Sequence, residues 1–183
     1  MNFLQNKVVV LTGPSSGIGE ATAMAFAQQG STLVLAARRI EKLELLQKRI
    51  LALGVPCMIV KTDVSQQKDV KRLFSLVEKE FGRVDILVNN AGIGRNFDLV
   101  DTSLKDWQDT FEINVSGVFY CSQEAVRLML KKQTEGHIIT VSSVLGLIAM
   151  SGKSAYCASK HAVTGFKRSL RYELKEKNIR ISL

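Results

Sequence analysis

The sequence predicts an α/β domain: a doubly wound parallel sheet with helices on both faces, in three layers (α/β/α). Three observations point to it. Short β-branched runs alternate with longer amphipathic segments along the whole 183-residue chain. Most of the short runs are apolar on both faces, as strands covered from both sides must be. The repeated strand–helix–strand order then calls for right-handed crossovers between parallel strands.

Strands are expected over 7–12, 32–36, 57–61, 84–89, 137–142 and 179–183, with helices over 17–29, 39–53, 66–82, 103–131 and 154–177. The helical spacing is clearest in 66–82, where Val70, Leu73, Phe74, Val77 and Phe81 recur at intervals of three and four. The two prolines, Pro14 and Pro56, fall between elements. With no repeat, linker or low-complexity stretch, 1–183 is expected to form a single dinucleotide-binding domain around one core. The final run stops at Leu183 inside what should be a buried strand, so the domain is expected to be incomplete at that end.

Composition narrows the function classes. The hydrophobic share of 46% and charged share of 23% are those of an ordinary soluble protein. The most apolar segment, 138–150, is interrupted by Thr140, Ser142, Ser143 and Gly146, too soon for a membrane span. The N-terminus enters a strand with no room for a secretory leader, so a cytoplasmic location is expected. Cys57, Cys121 and Cys157 show neither a CxxC pair nor a zinc spacing, and no metal is expected. The net charge is +8, but the Lys and Arg residues are spread over the segments 39–53, 66–81 and 160–177. They read as solvated helix faces rather than a nucleic-acid surface.

The first strand runs into Thr12-Gly13-Pro14-Ser15-Ser16-Gly17-Ile18-Gly19, where a helix begins. Glycines here permit a tight turn, close backbone approach to a pyrophosphate, and close packing of helix on strand. The helix N-terminus offers free N–H groups and a positive dipole end to phosphate. This is a Rossmann-type arrangement, with Gly13, Ser15, Ser16, Gly17, Ile18 and Gly19 as cofactor-binding candidates. The second strand ends in Ala36-Ala37-Arg38-Arg39, where an NAD-binding fold places an acid for the ribose hydroxyl. Two guanidinium groups match a 2′-phosphate instead, so NADP(H) is expected over NAD(H). Asp63 and Val64, after the third strand, are candidates for the adenine side; Asp63 is alternatively an N-cap for the next helix.

Three ordered motifs carry a family resemblance: the turn TGPSSGIG, Asn89-Asn90-Ala91-Gly92 after the fourth strand, and Tyr156-Cys157-Ala158-Ser159-Lys160. Together they resemble the short-chain dehydrogenases/reductases, over nearly the whole chain. The Tyr–Lys spacing makes chemical sense by itself, because residues four apart share a helix face. A free phenol holds its proton up to about pH 10, and a neighbouring ammonium favours the phenolate. Tyr156 is therefore the candidate acid or base, with Lys160 its partner.

The resemblance implies more. Ser143 matches the family's catalytic serine, hydrogen-bonding the substrate oxygen, with Ser142 the weaker candidate. Asn114 matches the fourth active-site residue, which distorts its helix and supports a water relay to Lys160. Asn90 is expected to do structural work, while Ala91 and Gly92 keep the cofactor channel open. The reaction implied is hydride transfer between nicotinamide and a small-molecule carbonyl or alcohol, of ketone or 3-oxoacyl type. Hydroxysteroid or retinol oxidation and an inactive dinucleotide-binding homologue are the alternatives. Leu145, Leu147, Ile148 and Met150 promise an apolar substrate wall. An acyl carrier protein and a homo-oligomer are the implied partners. Pro14 stands where the family usually has a small residue. The family also continues beyond the strand at 179–183 into a substrate lid and a last strand, which are expected to be missing here. The sixth strand would then lie at the sheet edge.

Overall fold

The computed structural model describes residues 3–183. Six strands, β1 Val8–Thr12, β2 Thr32–Ala37, β3 Cys57–Lys61, β4 Ile86–Asn89, β5 Gly136–Thr140 and β6 Ile179–Ser182, form one sheet in the order β3-β2-β1-β4-β5-β6. Every pairing is parallel. The helices are α1 Gly17–Gln28, α2 Ile40–Leu51, α3 Gln67–Phe81, α4 Leu104–Phe111, α5 Gly117–Lys131 and α6 Ser154–Glu173.

The period of two along each strand divides the core into two layers. Val9, Leu11, Leu33 and Leu35 point to one side and pack with Ala23 and Ala27 of α1 and Leu43, Leu46 and Ile50 of α2. Val10, Val34, Leu87 and Ile138 point to the other and meet Val70, Leu73 and Val77 of α3 and Ala125 and Met129 of α5. Each large side chain buried in this way contributes roughly 1.5–3 kcal/mol. Alanines on the buried face of α1 let that helix lie close to the sheet. The chain runs outward from β1 to β3, then crosses back to β4 on the far side of β1. At such a reversal the flanking helices diverge, and a crevice opens beyond the strand ends.

Some segments depart from expectation for local reasons. β4 begins at Ile86, although the backbone of buried Asp85 already bonds Val8 O and His137 N–H at 2.9 Å, while its carboxylate accepts Val8 N–H at 2.8 Å and Arg83 Nε at 3.0 Å. β5 stops at Thr140, although Val141 N–H still bonds Asn89 O at 2.9 Å. The stretch 103–131 is two helices joined by a π-turn, Glu112–Ser116. The last helix ends at Glu173 and a 3-10 turn, Lys175–Lys177, follows. The reading of all basic residues as solvated is corrected at two positions, since Lys160 and Lys167 are buried on the inner face of α6. No helix among the described residues is long and apolar enough to cross a membrane. β6 lies at a sheet edge.

Asp85 ties the starts of β1 and β4 together from a site 3% exposed. Asp85→Ala should lower unfolding stability by about 2–4 kcal/mol in urea denaturation, because it orphans a buried N–H and loses a charged partner. Lys105→Ala, in an exposed pair with Asp109, should change it by less than about 0.5 kcal/mol.

Candidate active site

β1 leaves the sheet at Thr12, and its hydroxyl receives N–H groups from both Asn90 and Ala91 at 3.1 Å. Asn90 returns the contact: its Nδ2 donates to Thr12 O and Gly13 O, each at 3.0 Å. Gly13 holds a left-handed φ of +70°, which turns the chain toward α1. At Gly19 the demand is for space. A Cβ there would lie 2.4 Å from Asn90 Nδ2 and 2.6 Å from Gly13 O. The glycine turn, the first turn of α1 and the end of β4 are thus one clipped unit.

Beside it lies a groove of about 320 Å³ over the switch in strand order. Gly13, Ser15, Ser16, Ile18 and Gly19 form one wall, Ala37, Arg38 and Arg39 the rim, and Asn90, Ala91, Gly92 and Ile93 the opposite wall. Ser16 caps α1 in extended conformation without using its side chain on the helix. Its hydroxyl and that of Ser15 instead accept Arg39 Nη2, at 3.1 and 2.7 Å. Arg38 is exposed on the same rim. No acidic side chain lines the groove.

Behind the Gly92 wall of the groove lies the α6 motif. Lys160 is buried, and its Nζ donates to Val141 O at 3.0 Å and lies 5.6 Å from the centroid of the Tyr156 ring. Burial pulls the Lys160 ammonium below the usual lysine range. Gly92 makes room here, since a Cβ on it would come 3.2 Å from Asn114 Oδ1 and 3.8 Å from Lys160 Nζ. Gly94 packs below the phenol, where a Cβ would sit 3.6 Å from its ring carbons.

Asn114 occupies the π-turn, 1% exposed, and its amide is fully committed. Oδ1 accepts Ile93 N–H at 2.8 Å, while Nδ2 donates to Ile93 O at 2.8 Å and Ser159 Oγ at 3.1 Å. Ser159 in turn donates to Tyr156 O at 2.7 Å. π-turns recur at functional sites because the extra residue re-aims side chains. Here it aims an asparagine so that one amide fixes both the loop after β4 and the first turn of α6.

Ser143 starts a 3-10 turn, Val144–Gly146, and accepts Leu145 N–H at 3.1 Å, which leaves its hydroxyl proton to give. That turn packs on α6, where a Cβ at Gly146 would lie 3.0 Å from Lys160 O. Ser142 Oγ is buried without a hydrogen-bond partner.

Asn114, Gly92, Tyr156 and Lys160 therefore converge, with Ser143 on the adjoining turn. Val64 lines the groove and Asp63 does not. The alternative role for Asp63 is corrected: Gln66 is the N-cap of α3, and Asp63 Oδ1 accepts Ser65 N–H at 3.0 Å in an Asx turn. Gly17 sits at the helix start with φ +58° and open space around it. Sequence reasoning missed Ile93, Gly94, Ser159 and Arg95. Arg95 pairs with Asp106 and Asp109 of α4 and so pins the loop bearing Ile93 and Gly94. Ile93 and Ser159 had a signal, one directly after the Asn-Asn-Ala-Gly run and the other inside the Tyr–Lys motif. The acceptor for Lys160, a backbone carbonyl, had none. Among the described residues no cluster of His, Cys, Asp or Glu is fit to hold a metal.

Comparison with known proteins points to one family. The chain is 41% identical over 187 residues to a farnesol dehydrogenase of Aedes aegypti, covering 100% of this chain and 76% of that one. It is 38% identical over 181 residues to the 3-oxoacyl-acyl-carrier-protein reductase FabG of Thermotoga maritima, covering 98% and 72%. A crystal structure of a short chain dehydrogenase/reductase from Burkholderia phymatum in complex with NAD superposes with a TM-score of 0.95 at 35% identity. That match covers 98% of this chain and 65% of the other, so the chain spans about two thirds of its length. The family model described as short chain dehydrogenase matches residues 7–183. With the glycine turn, the Asn-Asn-Ala-Gly wall and the Tyr156–Lys160 pair in place, the chain belongs to the short-chain dehydrogenase family.

Proposed function

We propose that residues 1–183 act as one cytoplasmic, NADP(H)-preferring domain that moves hydride between nicotinamide C4 and a carbonyl or alcohol carbon of a small molecule. The observation that carries this reading is the meeting of Tyr156, Lys160 and Asn114 around Gly92 and Gly94, next to a groove that suits an anionic dinucleotide. The groove fits that group on two counts. The start of α1 presents backbone N–H groups and a positive dipole end, and the rim is basic with no acid opposing it.

Gly13, Ser15, Ser16, Gly17, Ile18 and Gly19 would hold the pyrophosphate. Arg39 and Arg38 would take the 2′-phosphate, with the Ser15 and Ser16 hydroxyls already directed at the Arg39 guanidinium. Val64 would border the adenine, and Asp63, placed just outside the groove, would reach it only at its margin. Asn90, Ala91 and Gly92 would flank the nicotinamide half. When bound, the dinucleotide supplies or accepts the hydride.

The chain's own residues then manage the oxygen and its proton. Tyr156 gives its proton to the substrate oxygen in reduction and takes one in oxidation. Ser143 donates a hydrogen bond to the same oxygen and fixes its position. Lys160, held by Val141 O, keeps a positive charge beside the phenol and favours its ionised form. Asn114 acts through structure: with its amide spent on Ile93 and Ser159, it keeps the Gly92–Gly94 loop and α6 in register.

Of the apolar wall expected before Tyr156, Leu147, Ile148 and Met150 are exposed, whereas Leu145 is buried in the 3-10 turn and its neighbour Val144 is exposed instead. They favour a ketone or acyl-type substrate with an apolar body. The relatives named for farnesol and for a 3-oxoacyl carrier fit that class. An acyl carrier protein and a homo-oligomeric assembly belong to the same proposal.

Two experiments test it. Tyr156→Phe should lower kcat for ketone reduction by roughly 10²–10⁴-fold, with NADPH affinity changed by less than about threefold on direct titration. An unchanged rate would overturn the acid–base role. NADPH should bind the parent at least about tenfold more tightly than NADH, and Arg39→Ala should erase most of that preference, because a charge-assisted contact is worth roughly 1.5–3 kcal/mol. The Burkholderia structure holds NAD, so equal affinities for the two cofactors is the outcome that would refute the preference.

A further inference from the structure

α6 carries Tyr156 and Lys160 in its first two turns, and its buried face continues through Thr164 to Lys167. Lysine is rarely buried unless paired. Lys167 is 2% exposed, and no carboxylate among the described residues forms an ion pair with it. Its Nζ donates to Ser122 Oγ on α5 at 3.0 Å. The same hydroxyl accepts Asn89 Nδ2 at 3.1 Å, and Asn89 Nδ2 lies 3.4 Å from Thr140 Oγ1. Asn89 Oδ1 is buried with no partner. One polar cluster thus joins α6, α5, β4 and β5 inside an otherwise apolar layer.

The strand ends joined here are those that build the site. Asn89 immediately precedes Asn90, which clips the glycine turn. Thr140 immediately precedes Val141, whose carbonyl receives Lys160 Nζ. Along the helix, Thr164 Oγ1 donates to Lys160 O at 2.9 Å. Lys167 touches neither groove nor phenol, so any effect it has on the reaction passes through these neighbours.

We infer that Lys167 is a positioning residue: as an uncharged amine it fastens the catalytic helix to the ends of β4 and β5, and taking up a proton loosens that fastening. The inference rests on the site reading given above. An ammonium has three N–H groups to satisfy, and among the described residues one side-chain oxygen, Ser122 Oγ, accepts from it, with the Phe166 ring centroid 5.5 Å away. The ionisable groups on the packed elements offer no countercharge. Cys121 of α5 is the one whose field reaches Lys167, and burial pushes its thiol up to about 12, so it stays neutral. Glu124 is held by Arg127. Arg168, Arg171 and Glu173 of α6 are exposed, and Arg180 of β6 is a further cation. Burial accordingly pulls the Lys167 amine down to about 7.

The sign follows from linkage. An unfolded lysine titrates near about 10.4, so between about 7 and 10 the unfolded chain binds the extra proton. The penalty of burying this side chain is fully present below about pH 7 and fades as pH rises toward 10. Two variants isolate it in the full chain. Lys167→Met has nearly the same shape and no charge, whereas Lys167→Arg keeps its charge at every pH.

Thermal unfolding from pH 6 to 10, and NADPH affinity at pH 6 and 8.5, should be measured for parent and variants. K167M should exceed the parent in Tm below pH 7, with the gap closing by pH 10, and K167R should fall below the parent at pH 9. The parent should lose NADPH affinity several-fold more than K167M between pH 8.5 and 6. A Tm gap that stays constant across the range overturns the proposal. So does an equal acid loss of NADPH affinity in parent and K167M, which counts against Lys167 alone. A parent that binds NADPH at no pH fails the cofactor reading instead, and the positioning role with it.

Discussion

Asn90 holds the molecule's functional end together by giving both Nδ2 hydrogens to consecutive carbonyls of the glycine turn. Thr12 answers by taking two N–H groups from the chain leaving β4. β1 and β4 are neighbours in the sheet but distant in sequence, and the strand order reverses between them. Without that lock the turn and the β4 loop would be two free strand ends beside water. With it they become opposite walls of one groove. The requirement for glycine at position 19 follows directly, because any side chain would displace the clipping amide.

The cluster of Asn114, Tyr156 and Lys160 applies the same logic deeper in the fold. Buried polar groups are costly unless satisfied, and Asn114 is satisfied three times over by one amide. Its partners lie on the loop after β4 and on α6, so the two segments that must face each other across the groove are set by a single side chain. The π-turn makes this possible by placing Asn114 inward where a regular helix would carry the seam past it. Lys160 is held by a backbone carbonyl rather than a carboxylate. Its charge is therefore not cancelled by a carboxylate, which is what the proposed partnership with the phenol requires. Lys167 extends the pattern along the helix in a drier setting, with a hydroxyl as its side-chain partner.

The apolar framework and the polar site occupy different parts of the same strands. Toward their middles the side chains alternate between two dry layers. At the C-terminal ends Thr12, Asn89 and Thr140 replace them, and the backbone turns away. Rigidity comes from the first region, and chemistry is confined to the second.

The sequence by itself determined the fold class and the succession of strands and helices along the chain, and it singled out the candidate site residues. These are written locally, in period-two and period-3.6 patterns, glycine spacing, and a Tyr–Lys pair one helical turn apart. The boundaries at Ile86, Thr140 and Glu173 were not legible, because element ends are set by packing in the assembled fold and not by the local apolar period. Tertiary structure alone decided that Arg39 reaches the Ser15 and Ser16 hydroxyls, and that Ile93 and Ser159 share one asparagine. It alone removed Lys160 and Lys167 from water. A residue's type fixes what it can donate or accept, but burial and the choice of partner are set by segments that meet only when the sheet assembles.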